Sequence, residues 1–356
     1  MTPGLALAAT LHESSPDSEI VIVGRDGGVA ERLVEQSAFR LATVKIGGVD
    51  VQHPATLARF TAELPRAIRA MKRLFDEVKP DVVVGTSGYV CVPVILAAQS
   101  RKIPTVLLEQ NALPGRATRL LARWVNAIAT SYPTTRQHLH ARYVVYTGNP
   151  VRPEVVARRG ISERSFCDRL LVMGGSQGAR RINSAIIGSI ATLLDRYPTL
   201  TVTHQCGVAD SDRVVARWKE LAPEYQKRYH VAPFFDDIAK EIEDSDLVVM
   251  RAGGSSLAEC STVGRPMVLV PYPYAGGHQL FNTTMYVNRG AAIMIPDEEC
   301  TPDRMLEEAG GIIGDVSRWK AMMDASFGLG KPDAAREVIS LIEKSCRMTE
   351  RIPEGV

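Results

Sequence analysis

Short runs of β-branched and aliphatic residues recur along this chain at helix-length intervals, and that alternation constrains its fold more than any other feature. In the first half, Ile20–Gly24, Val82–Gly85, Thr105–Leu108 and Val144–Thr147 read as strands. In the second, Arg169–Met173, Val202–His204, His230–Val231, Leu247–Met250 and Met267–Val270 repeat the pattern. The runs are apolar throughout rather than alternating with polar residues. A strand covered on both faces reads this way, which implies parallel sheets flanked by helices. Two successive series in 356 residues predict two doubly wound α/β domains, at about 150 residues each. Asn149–Pro150 breaks regular structure, so the linker is expected near Gly148–Arg152. The expected division is residues 1–151, residues 152–324, and a C-terminal helix and tail over 325–356, with the helix itself at Ala334–Cys346.

Charge narrows the function classes. Lys and Arg number 42 against 40 Asp and Glu, so no global field favours nucleic acid, and none is expected as a partner. The six cysteines form no CxxC pair and have no His at zinc spacing, which fits a reducing compartment. The most apolar stretch, Asp81 to Ala98, is interrupted by Gly85, Gly88 and Pro93, and a spanning helix needs about 20 apolar residues. Leu5 to Leu11 lacks the basic leader of a signal peptide. A cytoplasmic protein is expected.

The start of the chain has its own signal. Thr2–Pro3 reads as an N-cap followed by Pro at the first helical position, so the alternation opens on a helix. In a doubly wound sheet the first strand is central. The N-terminal sheet is therefore expected to show a slot beside the Ile20–Gly24 strand, and a complete domain to carry residues upstream of Met1.

Two glycine-rich segments follow strands and open helices. Met173-Gly174-Gly175-Ser176-Gln177-Gly178-Ala179-Arg180 can bring backbone N–H groups and the Ser176 hydroxyl onto a phosphate. The same pattern fits a tight turn with no ligand. Arg251-Ala252-Gly253-Gly254-Ser255-Ser256-Leu257-Ala258-Glu259 is the second. Glu259 could accept bonds from two ribose hydroxyls, or could simply complement the helix dipole. Two such openings in one domain point to a nucleotide carrying a diphosphate.

Gly174–Ala179 as GGSQGA, Gly148–Arg152 as GNPVR, Glu109–Asn111 as EQN, and Arg251–Glu259 stand in one order along the chain. Phe234-Phe235-Asp236-Asp237 and Gly277-His278-Gln279-Leu280-Phe281-Asn282 add an FxDD and a QxxN element. Together these motifs resemble the MurG family, which adds N-acetylglucosamine to lipid I in peptidoglycan synthesis. The resemblance covers essentially the whole chain. It implies the GT-B fold: two Rossmann-like domains facing a cleft, an acceptor domain and then a UDP-GlcNAc domain. It implies that Ser176 and the helix opening from Gly254 through Ser255, Ser256, Leu257 and Ala258 meet the donor diphosphate. Glu259 would hold the ribose, the Phe235 backbone would read the uracil edge with Phe234 nearby, and Gln279 would bind sugar hydroxyls. Arg152 and Asn111 would reach the donor from the linker and the first domain.

The chain departs from the family at several points. The family's glycine-rich loop with its candidate base His precedes the region that Pro3–Leu11 matches. Leu108 stands where a His often precedes EQN, Ser87 replaces a Gly in Gly85–Tyr89, and His278 replaces a Gln. With that His outside the chain, Glu109 and Asn111 are the polar candidates for base. The implied reaction is inverting transfer to the C4 hydroxyl of lipid I, with helix N-termini stabilising departing UDP, no cofactor and no metal. The alternatives are another UDP-GlcNAc enzyme of the 2-epimerase kind, and a donor-binding relic without catalysis.

One further segment carries charge. Arg59, Arg66, Arg69, Lys72 and Arg73 alternate with Leu64, Ile68, Met71, Leu74 and Phe75. The apolar stripe reads as core-facing, while the basic face suits the anionic inner leaflet of the cell membrane. Pro65 leaves room for a loop near the segment's start. A peripheral seat on the cytoplasmic face is the expected localisation.

Overall fold

Every strand pair among the described residues is parallel, as the continuous apolar runs predict. The computed structural model describes residues 2–27, 31, 34, 37–50, 53–160, 165–175, 178–273 and 277–350, with the side chains of 348–350 excepted. The chain forms two α/β units. One comprises Met1–Arg152 with Asp333–Val356, the other Pro153–Pro332. Residues 325–332 therefore stay with the second unit, while the C-terminal helix returns to the first.

The first unit runs α1 (Thr2–Ser14), β1 (Val21–Arg25), β2 (Arg40–Val44), α2 (Pro54–Val78), β3 (Val83–Gly85), α3 (Cys91–Gln99), β4 (Thr105–Glu109), α4 (Arg116–Leu121), β5 (Ala127–Thr130) and β6 (Val144–Tyr146). Its strands pair as β1-β2 and as β3-β4-β5-β6. No described strand joins β1 to β3, which is the expected break beside β1. The start of α1 lies against Thr86, just past β3: a Cβ on Gly4 would come 2.8 Å from its methyl group.

Period-two alternation sorts the strand side chains onto two faces. Leu107 and Ile128 point into one core with Met71, Phe75, Ile95 and Leu121 from α2, α3 and α4. Val106, Leu108, Ala127 and Ala129 point into the other with Leu7 of α1. That second face is closed by Val338, Leu341 and Ile342 of the C-terminal helix. Helix α2 runs without a break through Pro65, so the expected loop there is absent. A proline removes one amide donor and crowds the preceding turn. Here it sits on the exposed face of a helix anchored by buried Phe60, Ala67, Met71 and Phe75.

The second unit contains α5 (Pro153–Ala157), β7 (Arg169–Met173), α6 (Arg180–Arg196), β8 (Thr201–Gln205), α7 (Ser211–Lys219), α8 (Pro223–Gln226) and β9 (Tyr229–Ala232). It continues with α9 (Ile238–Asp244), β10 (Leu247–Met250), α10 (Gly254–Thr262), β11 (Met267–Leu269), α11 (His278–Asn288) and β12 (Ala292–Met294), then α12 (Pro302–Ile313) and α13 (Val316–Leu329). The final helix, α14 (Ala334–Glu350), belongs to the first unit. The sheet order is β12-β11-β10-β7-β8-β9. It reverses direction between β7 and β10, and ligands of open α/β sheets bind at the carboxyl ends of the strands at that reversal. Leu170, Val172, Leu247 and Val249 pack under Ile182, Ile186 and Leu193 of α6 and Met305, Ala309 and Ile312 of α12.

Candidate functional site

The two glycine-rich segments leave the adjacent strands β7 and β10, one on each side of the reversal. After β7 the chain needs glycine. Gly175 and Gly178 have φ of 72° and 81°, and a Cβ on Gly178 would stand 2.7 Å from the Cys206 carbonyl oxygen. The Gly174 amide donates to the Gln205 carbonyl at 2.8 Å, which seats the loop on the end of β8. Ser176 and Gln177 lie outside the described residues. Helix α6 then opens at Ala179 with no side-chain cap.

Helix α10 opens the same way at Gly253, again with no side-chain cap. The Leu257 amide donates to the Gly253 carbonyl at 3.0 Å, and the Leu257 side chain is fully buried. Leu257, expected among the ligand contacts, is thus a core residue whose amide is spent inside the helix. The amides of Gly254, Ser255 and Ser256 precede the first intrahelical bond and are the orphan donors of this end. Ala258 is half-buried in the next turn. Glu259 lies in the second turn and is only 6% exposed.

Gln279 and Asn282 do work that motif spacing does not reveal. The Gln279 Oε1 accepts from the Ala252 amide at 3.1 Å and from the Tyr272 amide at 2.9 Å. The Asn282 Nδ2 donates to the Ala252 carbonyl at 3.2 Å. One face of α11 therefore grips both backbone groups of a single residue, Ala252, in the loop entering α10. With its oxygen committed, Gln279 can meet a sugar hydroxyl only through its amide nitrogen.

Phe235 is half-buried, and its amide points at the Gln205 Oε1, 3.4 Å away. Phe234 is 54% exposed, a surface aromatic beside that turn. Asp237 caps α9 through the Lys240 amide at 2.9 Å. Gln205 thus touches the glycine loop by its carbonyl and the Phe235 turn by its side chain.

In the first unit, Glu109 ends β4 with its carboxylate 1% exposed. Its Oε1 accepts from the Asn111 amide and Nδ2 at 3.0 and 3.1 Å, and its Oε2 from the Gly115 amide at 3.0 Å. The Ser87 hydroxyl, on a residue with φ of 65°, lies 3.4 Å from the same Oε2. A carboxylate engaged on this many donors braces the loop that carries Asn111, and would have to break those bonds to take a proton from a substrate hydroxyl. Arg152 is the last residue of this unit and is half-buried.

Comparison with known proteins agrees with this layout. The model of the glycosyltransferase family 28 C-terminal domain matches residues 169–338, and that of the family's N-terminal domain matches residues 1–130. A UDP-N-acetylglucosamine–N-acetylmuramyl-(pentapeptide) pyrophosphoryl-undecaprenol N-acetylglucosamine transferase of Desulforudis audaxviator is 35% identical over 96% of this chain and 94% of its own length. Among solved structures, MurG of Acinetobacter baumannii superposes with a TM-score of 0.72 at 24% identity, covering 96% of this chain and 95% of that one. A putative UDP-N-acetylglucosamine 2-epimerase of Listeria monocytogenes reaches the same TM-score at 12% identity, covering 100% and 96%. Both likenesses show the two-domain GT-B arrangement of parallel sheets.

Proposed function

The chain belongs to glycosyltransferase family 28, and from that premise we propose that it transfers N-acetylglucosamine from UDP-GlcNAc to the C4 hydroxyl of lipid I, forming lipid II. The observation that carries this reading is the pair of uncapped helix starts on either side of the sheet reversal, with Glu259 buried in the second of those helices. A diphosphate laid across both starts would meet backbone N–H groups and the positive ends of two helix dipoles. Those dipoles would stabilise the charge that develops on UDP as the C1–O bond breaks. Attack by the acceptor hydroxyl from the opposite side inverts the anomeric carbon, and the product is β-linked. In this reading Ser176, Gly254, Ser255 and Ser256 serve the diphosphate, Glu259 the ribose, the Phe235 backbone the base, and Gln279 the sugar.

The 2-epimerase reading shares the fold but not the level of identity, and the transferase relatives favour glycosyl transfer. The two are separated by incubation with UDP-GlcNAc alone. An epimerase forms the 2-epimer without an acceptor, whereas this protein is expected to leave the nucleotide sugar unchanged until lipid I is added.

Donor binding tests the site directly. Isothermal titration of the full chain is expected to show UDP binding, and Glu259→Ala to weaken it by about 1.5–3 kcal/mol, the worth of a charge-assisted hydrogen bond. Equal affinity of variant and wild type removes Glu259 from the site.

We also propose that the protein sits on the anionic cytoplasmic leaflet through the exposed Arg66, Arg69 and Arg73 of α2, which would bring it to a lipid-linked acceptor.

A further inference from the structure

A buried carboxylate ties the two glycine-rich openings together. Asp297 follows β12, two strands beyond β10 in the sheet. Its Oδ1 accepts from the Arg251 Nη1 at 2.6 Å, and its Oδ2 forms an ion pair with the Arg181 Nε at 2.9 Å. Arg251 immediately follows β10, within the segment that becomes α10. Arg181 is in the first turn of α6, just after the other glycine loop. One side chain therefore holds an arginine from each opening. Arg181 follows β7 and Arg251 follows β10, so the two arginines come from opposite sides of the reversal. Arg251 is locked further by its bond to the Val270 carbonyl at 3.0 Å, and its guanidinium lies 5.4 Å from the Tyr272 ring centre.

We propose that Asp297 is a positioning residue that sets the spacing of the two helix openings and hence their joint grip on the donor diphosphate. This rests on the donor-site reading given above. A ligand that bridges two helix starts is sensitive to their separation, since small displacements of a preorganised site cost large factors in affinity. Two effects compete when the carboxylate is lost. Freed guanidiniums would attract phosphate more strongly, whereas the released openings would lose their spacing. The Arg251 side chain is 18% exposed and that of Asp297 11%. An ion pair this buried does not lose one partner without rearrangement, because the remaining charge is left unpaired. The loss of spacing therefore prevails.

The test compares UDP with uridine on the full chain by isothermal titration, for wild type, Asp297→Asn, Asp297→Glu and Arg181→Gln. Uridine carries the base and ribose but no phosphate, so it is blind to the clamp. Asp297→Asn is expected to weaken UDP about tenfold and uridine less than twofold, with Asp297→Glu recovering most of the loss. The half-exposed Arg181 can be replaced without threatening the fold, and Arg181→Gln is expected to weaken UDP several-fold, again sparing uridine. Unchanged UDP affinity in both Asp297→Asn and Arg181→Gln overturns the proposal. So does an equal loss of UDP and uridine, which would mark a general structural role. Wild type that binds UDP no better than uridine overturns the donor-site reading itself, and the clamp with it.

Discussion

At the scale of single residues, the floor of the glycine loop is a closed polar network. His204 of β8 is fully buried, with its Nδ1 2.7 Å from the Tyr229 hydroxyl and its Nε2 3.0 Å from the Asn183 Oδ1. The Asn183 Nδ2 donates to the Cys206 carbonyl at 2.9 Å and to Asp210 at 2.7 Å. Asn183 Oδ1 must then accept, so His204 is assigned the neutral Nε2–H form, with Nδ1 accepting from Tyr229. Burial pushes the His204 imidazole down to about 3 from its ordinary 6.5. The folded state therefore refuses a proton that the unfolded chain accepts. Stability attributable to this residue is intact above pH 6.5 and falls as pH drops toward 3, at about 1.4 kcal/mol per pH unit. Chemical denaturation from pH 7 to 4 is expected to show that slope in wild type and a shallower one in His204→Gln. Parallel pH profiles would mean that His204 titrates normally.

At the scale of elements, most strands were legible because a run buried on both faces leaves a plain apolar signature. Three strands were not: β2, β5 and β12. The first begins with Arg40, the second is Ala-Ile-Ala-Thr, and the third has three residues. Alanine, which makes up half of the second and opens the third, is a weak strand former. Their strand character comes from pairing with β1, β4 and β11, which is a tertiary fact. Helix α6 shows the converse, a residue that looks unfavourable locally and is required by packing. Gly188 lies mid-helix, where alanine would ordinarily gain up to about 1 kcal/mol. A Cβ there would stand 2.5 Å from the Pro302 ring at the start of α12. A ring cannot swing aside as a flexible chain can, and overpacking costs about 1–3 kcal/mol. Gly188→Ala is thus expected to lower the melting temperature; an unchanged or raised value would show that α6 and α12 separate freely.

At the scale of the whole molecule, the net charge of +2 gives no general attraction to an anionic surface. Any membrane affinity must come from local asymmetry. On α2 the apolar stripe is consumed by the core, and Arg66, Arg69 and Arg73 are left exposed. Each basic residue near an anionic leaflet contributes about 1 kcal/mol, screened by salt. Co-sedimentation with anionic vesicles is expected to fall as salt rises and to drop sharply when the three arginines are replaced by glutamine. Equal sedimentation with anionic and neutral vesicles would reduce this face to solvated surface. Among the described residues no helix is long and apolar enough to cross a membrane.

The sequence by itself determined the α/β class, the two units and the two glycine-rich openings. Each rests on a local signal: burial on both faces, a proline-containing break, and clustered glycines after a strand, which after β7 take positive φ angles that only glycine adopts at no cost. It did not determine what the polar residues between those signals do. Gln279 and Asn282 gripping Ala252, Glu109 bracing Asn111, and Asp297 joining Arg181 to Arg251 are contacts between residues 2 to 116 positions apart. A side chain's hydrogen-bond capacity can be read from its identity. Its partner is chosen by which strand ends the sheet order brings side by side, and that order exists only in the folded chain.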